Sequence, residues 1–111
     1  MTRDYNLGEF EHMLLLAVAR LRADAYAPEI ARELEQRADR PVTRGALYSS
    51  LGRLEQKGFL VWHQEPPTPD RGGHARRRFE LTEAGLEALR TYRRALERLW
   101  TDLDELLGGA R

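Results

Sequence analysis

Apolar residues first recur with helical spacing at Phe10, Met13, Leu14, Ala17, Val18 and Leu21, which predicts a helix over residues 8–22. Leu15 and Leu16 lie outside that stripe, so this helix is apolar nearly all round. Such a helix is buried on more than one side, in a short chain by its own core and by a partner. After the break at Arg22-Ala23-Asp24-Ala25, a second helix is predicted from Ala27 to Arg37, with Pro28 in its first turn and Ile30, Ala31 and Leu34 inward. Asp39-Arg40-Pro41-Val42 reads as a turn, because the residue before a proline resists helical geometry. Thr43 is then a natural N-cap for a third helix, running to Lys57 and ended by Gly58.

The period then changes. Phe59 to His63 is rich in strand formers, and Ala75 to Leu81 alternates, with Arg77, Phe79 and Leu81 on one side and Arg76, Arg78 and Glu80 on the other. Between them Glu65 to His74, with three prolines and two glycines, continues neither a helix nor a strand, so the pair forms a hairpin with a long loop. Thr82 caps a last helix, expected to run to about Leu107 and to stop at Gly108-Gly109. Leu89, Tyr92, Leu96, Leu99, Leu103 and Leu106 repeat every three and four residues along it, a heptad seam widened by Trp100 and Leu107. At 1.5 Å per residue such a helix is roughly 38 Å long, too long for so small a body to cover. A second copy of the helix is the expected cover.

The order helix, helix, helix, strand, strand, helix defines a mainly α fold with a small β-hairpin. It is a winged helix-turn-helix followed by a long C-terminal dimerisation helix. At 111 residues the chain fits one structural domain, with residues 1–81 as the winged helix-turn-helix part and 82–111 as the dimerisation helix. The absence of cysteine excludes disulfides, thiol chemistry and cysteine-ligated metal. No stretch has the roughly 18 apolar residues of a membrane span, and the first residues lack the apolar region of a signal peptide, so a cytoplasmic location is expected.

Net charge is zero, which by itself argues against a nucleic-acid partner. Its distribution reverses that inference. Residues 40–78 carry eight bases and three acids, 8 − 3 = +5, which leaves −5 for the two ends together. A chain polarised in this way still offers phosphates a basic face.

On the third helix Leu47, Leu51 and Leu54 share one face, and Gly45, Ser49, Gly52 and Gln56 the other, flanked by Tyr48 and Arg53. Two glycines on an exposed helix face cost about 1 kcal/mol each relative to alanine. Small residues allow a helix backbone to approach base edges in the major groove. Ser49, Arg53 and Gln56 are placed to meet bases, and Arg44 and Tyr48 to meet phosphates. An ordinary solvated face with incidental glycines is the competing reading of this helix alone. The hairpin favours DNA, since Arg71, His74, Arg76, Arg77 and Arg78 cluster with only Asp70 nearby to neutralise them. The expected DNA-binding residues are Thr43, Arg44, Gly45, Tyr48, Ser49, Arg53, Arg71, His74, Arg76 and Arg78. His12, His63 and His74 are too scattered for a metal site, and nothing assembles an active centre, so neither enzymatic activity nor a cofactor is expected. An adaptor that keeps the fold but binds only proteins is the alternative, as is a dimer that stores a small molecule.

The run PVTRGALYSSLGRLEQKG, from Pro41 to Gly58, strongly resembles the reading-helix segment of PadR-like transcriptional regulators. LGEFE from Leu7 to Glu11 and RFELTEAG from Arg78 to Gly85 are similar to flanking signatures of that family. The resemblance implies a homodimeric repressor without catalytic activity, bound to a pseudo-palindromic operator in double-stranded DNA. The single C-terminal helix resembles the small subfamily. Some of its members bind planar compounds at the dimer interface, against a tryptophan of the last helix. That resemblance assigns Trp100 to a small planar ligand, with Phe10 and Met13 as walls, whereas its place beside the seam alone suggests interface packing. The arginine-rich second strand departs from the family pattern, which carries more tyrosine there.

Overall fold

A computed structural model describes residues 7–67 and 75–108, and its elements follow the expected order. Helix α1 (Glu9–Leu21) starts at Gly8, whose backbone N–H donates to Glu11 Oε1 at 3.3 Å. It is the hub of the fold and touches α2 (Ala27–Ala38), α3 (Arg44–Gln56), α4 (Glu83–Trp100) and strand β2 (Arg76–Leu81). Leu14, Leu15, Ala17 and Val18 are buried there, while Leu16 stays exposed. The core also takes Ile30 and Leu34 from α2, Leu47, Leu51 and Leu54 from α3, and Leu60 and Phe79 from the hairpin.

Local chemistry sets most of the boundaries. Thr43 Oγ1 accepts the Ala46 N–H at 3.1 Å and so caps α3. Asp39 closes α2 in the left-handed region with φ of 54°, a conformation aspartate tolerates better than most residues. Gly58, at φ of 83°, turns the chain out of α3 and lets the Phe59 N–H reach Leu54 O at 3.0 Å. Strand β1 (Leu60–Glu65) then pairs antiparallel with β2, from Leu60 opposite Leu81 to Glu65 opposite Arg76.

Two features depend on residues distant in sequence. Tyr26 forms an isolated bridge with Arg78, and the Phe79 N–H donates to Ala25 O at 2.8 Å, so residues 25 and 26 lie along the open edge of β2. At the other end, Thr82 Oγ1 accepts the Gly85 N–H at 3.0 Å and donates to Gly58 O at 2.6 Å. A Cβ on Gly85 would stand 2.4 Å from Phe59 O, so only glycine permits α4 to start against the end of α3.

Helix α4 is shorter than its heptads imply, ending at Trp100 and not near Leu107. Thr101 Oγ1 donates back to Glu97 O at 3.0 Å, and Asp102 adopts φ of 68°. A hydroxyl competing for a backbone carbonyl and an acid at the negative end of the helix both favour termination. Residues 101–108 continue as turns with exposed side chains.

Candidate nucleic-acid interface

Helix α3 buries its leucines and presents Gly45, Ser49 and Gln56 to solvent, with Gly52 half-buried between them. A Cβ at Gly45 or Gly52 would meet nothing within 4 Å, so no contact among the described residues requires either glycine. The face therefore carries little side-chain bulk at these two positions. Arg44 lies over the Tyr48 ring, 5.6 Å from its centroid, at the beginning of this face. Thr43 is occupied as the cap.

Arg53, expected to meet bases, is ion-paired to a carboxylate of α1 while its side chain stays partly exposed. Its Nε donates to Glu11 Oε2 at 3.2 Å, its Nη2 to Ser50 Oγ at 2.9 Å and its Nη1 to Ser49 Oγ at 3.3 Å. Lys57 Nζ donates to the other oxygen of Glu11 at 2.8 Å. Glu11 is 7% exposed, and this clasp ties α3 to α1. The sequence carries no sign of it, because the partners stand 42 and 46 positions apart.

Burial pushes the Glu11 carboxyl up, but hydrogen bonds from Lys57, the Gly8 N–H and Arg53 outweigh it and hold the carboxyl below the ordinary carboxylate range. A depressed folded-state value adds stability that is present above the unfolded carboxyl's value and is lost as pH falls through the folded one. Glu11→Gln is therefore expected to lower unfolding free energy by about 2 kcal/mol at neutral pH, less than for a fully buried pair because both cations are partly solvated. Urea titrations across the acid range should show the gap from the parent protein closing as Glu11 protonates. A gap independent of pH would refute this role.

The wing arginines have three different fates. Arg78 Nε donates to Glu65 Oε2 at 2.9 Å, so Arg78, expected on DNA, is ion-paired within the sheet. Arg76 lies flat over Tyr26, with its Cζ 3.5 Å from the ring centroid. Arg77 lies over Trp62 at 4.3 Å, and Trp62 Nε1 donates to Glu55 Oε2 at 3.0 Å, so this tryptophan secures the wing base. Arg71 and His74 lie outside the described residues. His63 Nε2 and Glu80 Oε1 stand 2.9 Å apart on the exposed sheet face. Tyr26 and Gln64, which the sequence pattern did not single out, join Arg44, Tyr48, Arg76 and Arg77 around one open cleft.

The residues expected to form the dimer seam divide. Leu89 packs on the core, and the Tyr92 ring lies 4.2 Å from His12, so the first part of the seam serves its own domain. Burial lowers the His12 imidazole from its usual value. Leu96 and Leu99 remain exposed on α4, and Leu103 and Leu106 are exposed beyond its end. Trp100 shares a groove with His12, Leu16, Leu89 and Leu96. Phe10 and Met13 are not in that groove. They pack on the core beside Arg40, whose Cζ lies 5.1 Å from the Phe10 centroid and whose Nη1 lies 3.9 Å from Met13 Sδ.

The model of the transcriptional regulator PadR-like family matches residues 15–91, from α1 well into α4. The chain is 42% identical over 80 residues to transcriptional regulator Rv3488 of Mycobacterium tuberculosis, an alignment covering 72% of this chain and 67% of that protein. A PadR-like transcription factor from Bacteroides fragilis superposes with a TM-score of 0.63 at 29% identity, over 89% of this chain and 86% of that one. A PadR-like transcriptional regulator from Bacillus cereus gives a TM-score of 0.71 at 21% identity over 91% and 93%, a likeness of fold. No described helix is long and apolar enough to cross a membrane.

Proposed function

The chain belongs to the PadR-like family of transcriptional regulators, and on that basis we propose that it is a sequence-specific repressor, bound as a homodimer to a pseudo-palindromic operator. Family membership makes it a regulator and not an enzyme. The observation that carries the DNA reading is the glycine-lined face of α3, where no contact among the described residues accounts for either glycine. A helix with so little side-chain bulk can bring its backbone close to base edges, where Ser49 and Gln56 offer hydrogen bonds. Arg44 and Tyr48 lie beside it for the backbone, and the wing extends the basic surface. Arg53 contributes by holding the helix in place.

In a dimer the two reading helices enter successive major grooves, roughly 34–36 Å apart. Residues 1–81 supply the DNA contacts and residues 82–111 the partner contacts. The groove beside Trp100 supports a further element, release by a small planar ligand that stacks on the indole. The cytoplasm, where such a repressor meets the chromosome, is its place of action.

Selection of bound fragments from genomic DNA, followed by mobility shifts on those recovered, tests the whole reading. Recovery of one repeated, two-fold symmetric sequence is the expected result, and planar aromatic compounds added to the same assay should release it. Failure to retard any fragment at low salt would remove DNA from the function and favour the protein adaptor.

A further inference from the structure

The cleft where the starts of α2 and α3 meet β2 is lined by Tyr26, Arg44, Tyr48, Gln64, Arg76 and Arg77, and among the described residues no carboxylate lines it. We propose that this cleft seats a single backbone phosphate, held jointly by Arg44 and Arg76 of one subunit. The proposal rests on the DNA reading and specifies which phosphate-binding device serves it.

Arg76 Nε is buried and has no hydrogen-bond partner among the described residues. A guanidinium can only donate, and with no acceptor taken inside the protein its charge is left for an entering anion. The group is also held ready. Its plane rests on Tyr26, whose hydroxyl donates to Glu65 Oε1 at 2.6 Å, while Glu65 Oε2 accepts from Arg78. Glu65 faces Arg76 in the strand register, yet its two oxygens take Tyr26 and Arg78. None of the ion pairs among the described residues involves Arg44, Arg76 or Arg77. Each of the three lies over an aromatic ring, which orders the side chain and leaves its planar fork free for phosphate oxygens.

Position identifies the occupant. Tyr48 lines this cleft and also the shallow one along Ser49, Gly52 and Gln56, so the two adjoin at that residue. A duplex laid along α3 carries one strand's backbone across the mouth of the basic cleft. Arg78, ion-paired to Glu65, plays no part in it.

The test measures affinity for a selected two-half-site fragment between about 50 and 200 mM salt, for the parent protein, Arg44→Ala, Arg76→Ala and the double variant. Each single variant should bind about tenfold more weakly per half-site, or about 100-fold for the dimer, as expected when a charge-assisted hydrogen bond is removed in each subunit. Its log–log salt slope should be shallower by about 0.9 per subunit, and the double variant should flatten it no further, because one phosphate is shared. A methylphosphonate at one linkage in each half-site should reproduce the loss in the parent protein and leave both variants unaffected. Arg44 is exposed at the start of its helix, so that arm stands even if Arg76→Ala disturbs the wing. An unchanged slope, or losses that add at separate linkages, would overturn the cleft alone. Absence of binding by the parent protein at low salt would overturn the DNA reading with it.

Discussion

A Leu96→Glu, Leu99→Glu double variant is expected to stay folded, sediment as a monomer and bind a two-half-site operator at least about 100-fold more weakly than the parent. Leu99 is 73% exposed and Leu96 36% in the isolated chain, and neither belongs to the core cluster. Their replacement therefore leaves the domain intact. Trp100 beside them is 47% exposed, and the strip is flanked by ion pairs such as Arg93 with Glu97 at 2.9 Å. Burial of a leucine side chain contributes about 1.5–3 kcal/mol, so a seam of two copies gains several such increments. Glutamates there would reverse the gain by desolvation and mutual repulsion. Linking two half-site contacts raises affinity by roughly 10²–10⁴ without any new contact, and a monomer forfeits that factor. Sedimentation followed by mobility shifts provides the readout. A variant that remains dimeric, or a monomer of undiminished affinity, would dismiss α4 as the link between reading helices.

Substitution of the two glycines of the reading face should move stability and binding in opposite directions. In a Gly45→Gln, Gly52→Gln protein neither new side chain meets a neighbour at its Cβ. Glutamine is a better helix former than glycine, so unfolding should require about 1 kcal/mol more in total. Binding should nevertheless fall by about 100-fold, since two long side chains would then stand between the backbone and the base edges and cost roughly 1–3 kcal/mol for each base pair no longer read. Urea unfolding and a mobility shift on one preparation test both signs. Gln56 and Ser49 flank these positions and offer an internal comparison, because their truncation removes hydrogen bonds without adding bulk. Undiminished binding by the glutamine protein would mean that α3 does not enter the groove.

The sequence was informative where the controlling interaction is local. Leucines 47, 51 and 54 share a face because the helical period requires it, and all three are buried. Thr43 and Thr82 cap their helices through bonds to the third residue on, so a span of four residues contains the signal. The run from Pro41 to Gly58 resembled a family whose model then matched most of the chain. The hairpin and the alternation of its second strand were legible for the same reason, since Phe79 turns inward at the position the period gives.

The individual fates of the charges were not legible. Composition placed a surplus of arginine in residues 40–78 but could not say which arginines remain free for a ligand. Arg53 meets Glu11 across 42 positions, Arg78 meets Glu65 across the hairpin, and Arg76 rests on a tyrosine that precedes α2. The end of α4 at Trp100 likewise turns on one hydroxyl and one left-handed aspartate, against a heptad pattern that continues beyond them. Secondary structure, core and family thus follow from short-range order that the chain carries in every conformation. The choice of partner for each guanidinium depends on distances that exist only once the helices have packed, because a charge pair gains energy from proximity in space and not in sequence.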